Sequence, residues 1–477
     1  MSTKSHTILL VLLFCVAGFF ATYHLTESPP VWYDEGMFTQ AAINLAFYGQ
    51  TGLRVAPDII EPSSKLITVG YPLIYPLAGW FKIFGTGILS ARALMVVFIL
   101  GFLFASYLFA RRLFHKDVAL GALALLITLP TLYGNGKSVL GEVPGLMYLV
   151  LFLVCLNIAL SHTARKYVWF LLPGLFAGLC VATKPTFLVL LPAIVIGIFI
   201  GWRQKKLRGK EILITVAAGV VPLMFWLFLQ FRAGDLLASI LSYYVNPYQI
   251  PDIGRVIIAN SLNLFTSVGP LYLMGIMGVW LGALWIRRHQ REAISVEEII
   301  AFVFSVLIIV AYTRTAGWYR YLFEAQAISL LFFPNALLVM ARSMIHFINP
   351  KKLVTIIIGT LAVLGAYQVM FSSFVADSYQ SSRTAFLEEY FAAVPSSTSF
   401  FFYNVPEVAL FVHSSNYYQY FNPAGWYIGK EQLSVIEKGE VDTIIIETGT
   451  FAAMSQNAFA LYRVDRTTHR YIMLQKK

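Results

Sequence analysis

The chain has 477 residues, of which 58% are hydrophobic and only 12% charged. Soluble domains carry about 25% charged residues, so this composition excludes an ordinary globular protein and describes a multi-spanning membrane protein. The net charge of +11 would suggest nucleic acid for a soluble chain. Here the retention of Lys and Arg in cytoplasmic loops accounts for it, and no nucleic-acid partner is expected.

The first apolar stretch is placed at 7–23, and its run Ile8 to Phe20 resembles a signal-peptide core. Its end makes a poor small-x-small cleavage site, and it is expected to stay as an uncleaved first span. The loop that follows, 24–87, holds two adjacent carboxylates in Val31-Trp32-Tyr33-Asp34-Glu35-Gly36. An amphipathic helix is expected to begin at Met37 and to stop at Gly49, with Asp34 in a position to cap it. Next comes Gly70-Tyr71-Pro72-Leu73-Ile74-Tyr75-Pro76, too interrupted for a span and read as an interfacial or re-entrant helix. Further spans are expected at 88–110, 117–134, 139–160, 167–182, 186–202, 210–231, 264–286, 297–313, 325–343 and 353–375, about eleven in all. The cysteines Cys15, Cys155 and Cys180 lie inside apolar stretches and fit neither a metal spacing nor a disulfide framework.

With the N-terminus in the cytoplasm, the alternate loops read Arg111-Arg112, Arg165-Lys166, Arg203-Gln204-Lys205-Lys206, Arg287-Arg288-His289 and Lys351-Lys352. All are basic, so the positive-inside rule places the final tail outside a plasma or inner membrane. The inner loops are short and have no Gly-rich phosphate cradle, which leaves no room for a nucleotide-sugar domain. The tail changes character: Phe400-Phe401-Phe402-Tyr403 reads as a strand, a helical stretch follows, then a β-branched run at Asp442-Thr443-Ile444-Ile445-Ile446 and a final strand pair. The expected architecture is therefore a membrane all-α bundle over 1–375, carrying the external loop 24–87, and a small external α/β domain over 376–477.

Ionisable groups at membrane depth are costly and mark function by default. On the expected outer side they are Asp34, Glu35, Lys65, Arg92, Glu142, Lys184, Arg314, Arg320 and Glu324. Singly, each has an ordinary explanation: Asp34 as a helix cap, Glu142 paired with Lys137, Lys184 snorkelling at an interface. Together, on one face, they suit transfer of a sugar from a lipid phosphate. One carboxylate takes the acceptor's proton, while Arg and Lys hold the phosphate and the charge left on it. Gly36 is expected to leave the acid open to the sugar. Two carboxylates are able to hold a divalent cation, although no His-rich or three-acid cluster demands one, and no other cofactor is expected. The rival reading is a multi-spanning transporter or flippase of lipid-linked or polar solutes, which calls for repeat symmetry that the sequence does not show.

Trp32-Tyr33-Asp34-Glu35-Gly36 ahead of an amphipathic helix resembles the first-loop motif of GT-C glycosyltransferases, the superfamily of protein O-mannosyltransferases and lipid A aminoarabinose transferases. The Tyr71 proline stretch with Ala91-Arg92-Ala93-Leu94, Thr183-Lys184-Pro185-Thr186 and Arg320-Tyr321-Leu322 are similar to its later motifs. The resemblance covers about residues 1–345 and implies a membrane bundle topped by external helices and a C-terminal domain. It implies Asp34 as catalytic base, Glu35 as the residue that orients substrate, and Lys184 and Arg320 on the lipid phosphate. Lys65 would stand in for a lysine that the family often carries in its proline run. The implied partners are a polyprenyl-phosphate sugar donor and a glycolipid, glycan or protein acceptor. The Trp-Trp-Asp signature of oligosaccharyltransferases is absent, which argues against en bloc glycan transfer.

Overall fold

The computed structural model describes residues 2–62, 67–161, 166–230, 252–344, 349–372, 382–412, 414–422, 427–454 and 459–477. The chain opens with α1 (Thr3–Thr22), α2 (Tyr33–Tyr48), the hairpin β1 (Leu53–Ala56) and β2 (Ile59–Glu61), and α3 (Tyr71–Phe84). The bundle continues through α4 (Ile88–Leu113), α5 (Lys116–Ile127), α6 (Pro130–Gly136), α7 (Glu142–Ser161), α8 (Lys166–Trp169), α9 (Leu171–Thr183), α10 (Leu190–Arg203) and α11 (Gly209–Gln230). Its last helices are α12 (Ile253–Thr266), α13 (Val268–His289), α14 (Val296–Tyr312), α15 (Phe323–Met344) and α16 (Pro350–Ser372). Apolar side chains stay exposed on the outer helices, among them Leu213, Val221 and Phe228 on α11 and Val363 and Phe371 on α16. A helix that is hydrophobic on its outer face as well as its inner one belongs in lipid.

Among the described residues, eight helical stretches are long and apolar enough to cross a membrane, and up to nine if a bent pair counts as one span. The chain is thus a multi-pass membrane protein. Helices occupy all the places expected from the sequence, but several are modified. The stretch 117–134 is broken by a 58° bend between α5 and α6. Pro130 has no N–H to continue the ladder, and Thr128 Oγ1 turns back onto the Ala124 carbonyl at 2.9 Å. Tyr167–Thr183 is a shorter apolar helix, and α14 has 17 residues. The stretch 264–286 is divided at Ser267, where α12 ends and α13 begins.

After the bundle come α17 (Arg383–Ala393), β3 (Phe400–Tyr403), a 3₁₀ turn at Pro406–Leu410, β4 (Tyr417–Tyr420), α18 (Leu433–Glu437), β5 (Thr443–Glu447), α19 (Thr448–Ala453), β6 (Tyr462–Thr467) and β7 (Tyr471–Lys476). They form a five-stranded sheet of order β4-β3-β5-β7-β6, with β3 parallel to β4 and β5 and the other pairs antiparallel. Side chains alternate across a strand. Phe400 and Phe402 accordingly pack with Leu387 and Phe391 of α17 on one face. Phe401, Ile444 and Ile446 pack with Val435 and Ile436 of α18 on the other. The expected strands at 400–403 and 442–446 and the final pair are present. Strand β4 was not foreseen, where the sequence reading has a helical stretch; the aromatic-rich Tyr417-Tyr418-Gln419-Tyr420 was its available signal.

Candidate active site

Helix α2 starts at Tyr33, four residues earlier than the sequence suggests, and its N-cap is Trp32, which makes no side-chain capping bond. Asp34 and Glu35 are therefore both in the first turn, where the helix dipole favours negative charge. Successive helical residues point in directions about 100° apart, so the two acids face different surroundings. The Asp34 side chain is 33% exposed, whereas Glu35 is fully buried.

Glu35 is held bidentately by Arg92 of α4, with Nε–Oε1 at 2.9 Å and Nη2–Oε2 at 2.7 Å. Arg92 Nη1 also donates to the Leu25 and Pro29 carbonyls, each at 2.8 Å. This guanidinium is fully buried too. Sequence reasoning gave both residues substrate-facing roles; in the fold their polar atoms meet each other and the backbone leading into α2.

Asp34 Oδ2 lies 3.4 Å from Arg320 Nη2. The Arg320 guanidinium is stacked among Trp32, Trp318 and Tyr321, 4.4, 4.9 and 5.2 Å from the ring centroids. Such packing fixes a planar cation that stays charged. Its Nε is buried and has no hydrogen-bond partner among the described residues.

Lys184 comes from the turn after α9. Pro185 keeps it extended, at φ −156° and ψ 141°. Its Nζ donates to Glu142 Oε1 at 2.6 Å and to the Leu140 carbonyl at 3.0 Å. Gly141, at φ +87°, makes the tight turn that seats Glu142 beside it. The partner expected for Glu142, Lys137, instead donates to the Tyr23 carbonyl at 2.5 Å. Glu142 Oε2 is buried and unpartnered among the described residues. Glu324 accepts from Thr186 Oγ1 at 3.4 Å. Glu142 is in electrostatic reach of both Arg320 and Glu324. The fold therefore joins Asp34, Arg320, Glu142, Lys184 and Glu324 into one charged cluster.

Tyr71 makes its contacts away from this cluster. The Tyr71 hydroxyl donates to the Pro222 carbonyl at 3.4 Å, and its ring packs edge-on against Phe225. Arg314 is exposed on the turn after α14. Lys65 is outside the described residues. Among the described residues no group of three or more His, Cys, Asp or Glu side chains is arranged to hold a metal ion.

The C-terminal domain contributes a neighbour that sequence reasoning missed. Glu407 is fully buried; it accepts from Tyr471 Oη at 2.9 Å and from Arg470 Nε at 3.3 Å. Burial raises its carboxyl pKa, and Arg470 opposes the rise. Burial likewise raises the Tyr33 phenol well above its usual range, with Glu407 and Asp34 adding to the effect. No local signal marks Glu407, because its neighbours come from distant parts of the chain.

Gly36 has a different purpose from the one expected. A Cβ there would lie 2.5 Å from both Cα and N of Glu407, so the missing side chain admits the C-terminal domain rather than a sugar. Gln40 strengthens the junction by donating to the Pro406 carbonyl at 2.7 Å. Gly36→Ala is expected to destabilise the protein by about 1–3 kcal/mol through overpacking against backbone that cannot yield. The check is thermal unfolding of the purified variant beside Gly18→Ala, whose Cβ would meet nothing within 4 Å. Equal melting temperatures for the two would refute the close approach.

Residues 72–228 match the model of the dolichyl-phosphate-mannose-protein mannosyltransferase family. No match was found among curated protein sequences. The fold is similar to that of ArnT from Cupriavidus metallidurans in the apo state, with a TM-score of 0.68, 12% identity and 98% of each chain covered. The same protein bound to undecaprenyl phosphate gives 0.62 and 12% identity over 99% of this chain and 98% of that one. The oligosaccharyltransferase AglB from Archaeoglobus fulgidus, in complex with an inhibitory peptide and a dolichol-phosphate, gives 0.56 and 14% identity over 93% of this chain and 69% of that one. The structural likeness shows a fold like that of these proteins, a membrane helix bundle with a C-terminal sheet domain, and the family model matches about a third of the chain.

Proposed function

We propose that this enzyme moves a sugar from a polyprenyl-phosphate donor to an acceptor hydroxyl at the external membrane face, with Asp34 as general base. The observation that carries the reading is a partly open carboxylate next to a stacked arginine, in one cluster with Lys184. In the reaction, Asp34 takes the acceptor's proton as its oxygen bonds to the anomeric carbon. The bond from that carbon to the phosphate oxygen breaks, and the lipid phosphate leaves with the electron pair. Arg320 meets the growing charge, aided by its unpartnered Nε. Lys184 has three ammonium donors, and two of them bond to Glu142 and Leu140. The third remains for phosphate. Fixed donors of this kind stabilise a leaving group without having to reorganise as it departs.

The ends of the helices support an orientation. Arg111 and Arg112 end α4, Arg203 ends α10 and Arg287 and Arg288 end α13, while Lys351 opens α16. These ends lie opposite the Asp34 cluster, which by the positive-inside rule supports an external cluster and a cytoplasmic N-terminus in a plasma or inner membrane. The bundle over 1–375 then provides the catalytic end, and 376–477 is an external domain seated on α2. In reconstituted vesicles, the purified enzyme is expected to use a polyprenyl-phosphate sugar and to ignore nucleotide sugars. Transfer from a nucleotide sugar without lipid carrier would overturn the donor assignment. The acceptor is a glycolipid, glycan or protein hydroxyl.

A further inference from the structure

A cleft lies at the end of the bundle opposite the Asp34 cluster, between α1, α5, α15 and α16, with a volume of about 530 Å³. Its walls are apolar, formed by Leu9, Leu13, Leu120, Leu338, Val354 and Ile358. Its mouth carries Arg342, Lys351, His115 and Asp117. Asp117 Oδ2 is 3.5 Å from His115 Nδ1, so the one acid is associated with the imidazole. Arg342 and Lys351 make no ion pair with another described residue. Helices α5 and α16 both begin at this mouth, and their N-terminal ends add partial positive charge.

Depth identifies the kind of occupant. Arg342 and Glu324 are on the same helix, and the 18 residue steps from one to the other span about 27 Å, close to the thickness of a hydrocarbon core. The mouth is thus at the interface away from the Asp34 cluster, and the apolar walls run from it toward the middle of the membrane. A groove with a cationic rim and a hydrocarbon-like wall fits an amphiphile with an anionic head and an acyl tail.

We propose that this cleft binds an anionic glycerophospholipid of the leaflet opposite the active site. Its phosphate sits against Arg342 and Lys351, and an acyl chain lies along Leu120, Leu338 and Ile358. The site is independent of the transfer chemistry at Asp34.

The test is native mass spectrometry of the delipidated full chain, titrated separately with phosphatidylglycerol, phosphatidylethanolamine and a polyprenyl phosphate. Phosphatidylglycerol is expected to be retained in preference to both other lipids. Retention should fall about fivefold for each cation removed in the Arg342→Gln/Lys351→Gln double variant. Gly359→Phe keeps every charge but fills the cleft, since a Cβ at Gly359 meets nothing within 4 Å; it is expected to lose the lipid as well. If the double variant does not accumulate, the comparison of Gly359→Phe with the parent chain decides alone. Equal retention of phosphatidylethanolamine, unchanged binding by Gly359→Phe, or preferred binding of polyprenyl phosphate would each overturn the proposal.

Discussion

Asp34→Asn is expected to lower sugar-transfer turnover by about 10²–10⁴-fold, the usual worth of a positioned general base, in a protein that still inserts and folds. The amide has nearly the shape of the carboxylate and can still accept a hydrogen bond from Arg320, but it cannot take the acceptor's proton. Folding has little to lose, because α2 is capped at Trp32 and makes no use of the Asp34 side chain as a cap. The helix-dipole contribution of a first-turn acid is only about 0.3–1 kcal/mol. Turnover with a polyprenyl-phosphate sugar and the melting temperature, measured on the same preparation, check both halves of the statement. Near-normal turnover would leave Asp34 with a structural role alone and remove the proposed base.

The outline of this molecule was legible because its signals are local. Apolar runs reveal the spans, and aromatic or β-branched runs reveal β3 and β5. The acid pair in the first loop was also visible. Which acid is open was not, because that depends on where α2 begins. A start at Tyr33 turns Glu35 toward Arg92 and leaves Asp34 beside Arg320. Pairings across long stretches of sequence were equally hidden. Glu142 selects Lys184 over the nearby Lys137 because the turn at Gly141 meets the end of α9. Gly36 reads as an opening for substrate until the backbone of Glu407 is found against it. Such contacts come from tertiary packing and leave no periodicity to read.

The Glu35–Arg92 pair leads to the largest expected effect on stability. Arg92→Met would leave the Glu35 carboxylate fully buried without its cation, a change that typically costs about 3–5 kcal/mol. That is a large part of the roughly 5–15 kcal/mol by which a folded domain is stable, so this variant is expected to accumulate poorly or to melt far below the parent. Glu35→Gln should also destabilise, but less, because Arg92 keeps the Leu25 and Pro29 carbonyls as acceptors. Combining Glu35→Gln with Arg92→Met removes both charges together. The double variant is therefore expected to be more stable than Arg92→Met alone, giving a favourable coupling energy in a double-mutant cycle. Melting temperature and turnover together distinguish this role from a direct part in catalysis. A Glu35→Gln protein that melts like the parent but has lost turnover would place Glu35 on the substrate and contradict its assignment as the buried partner of Arg92.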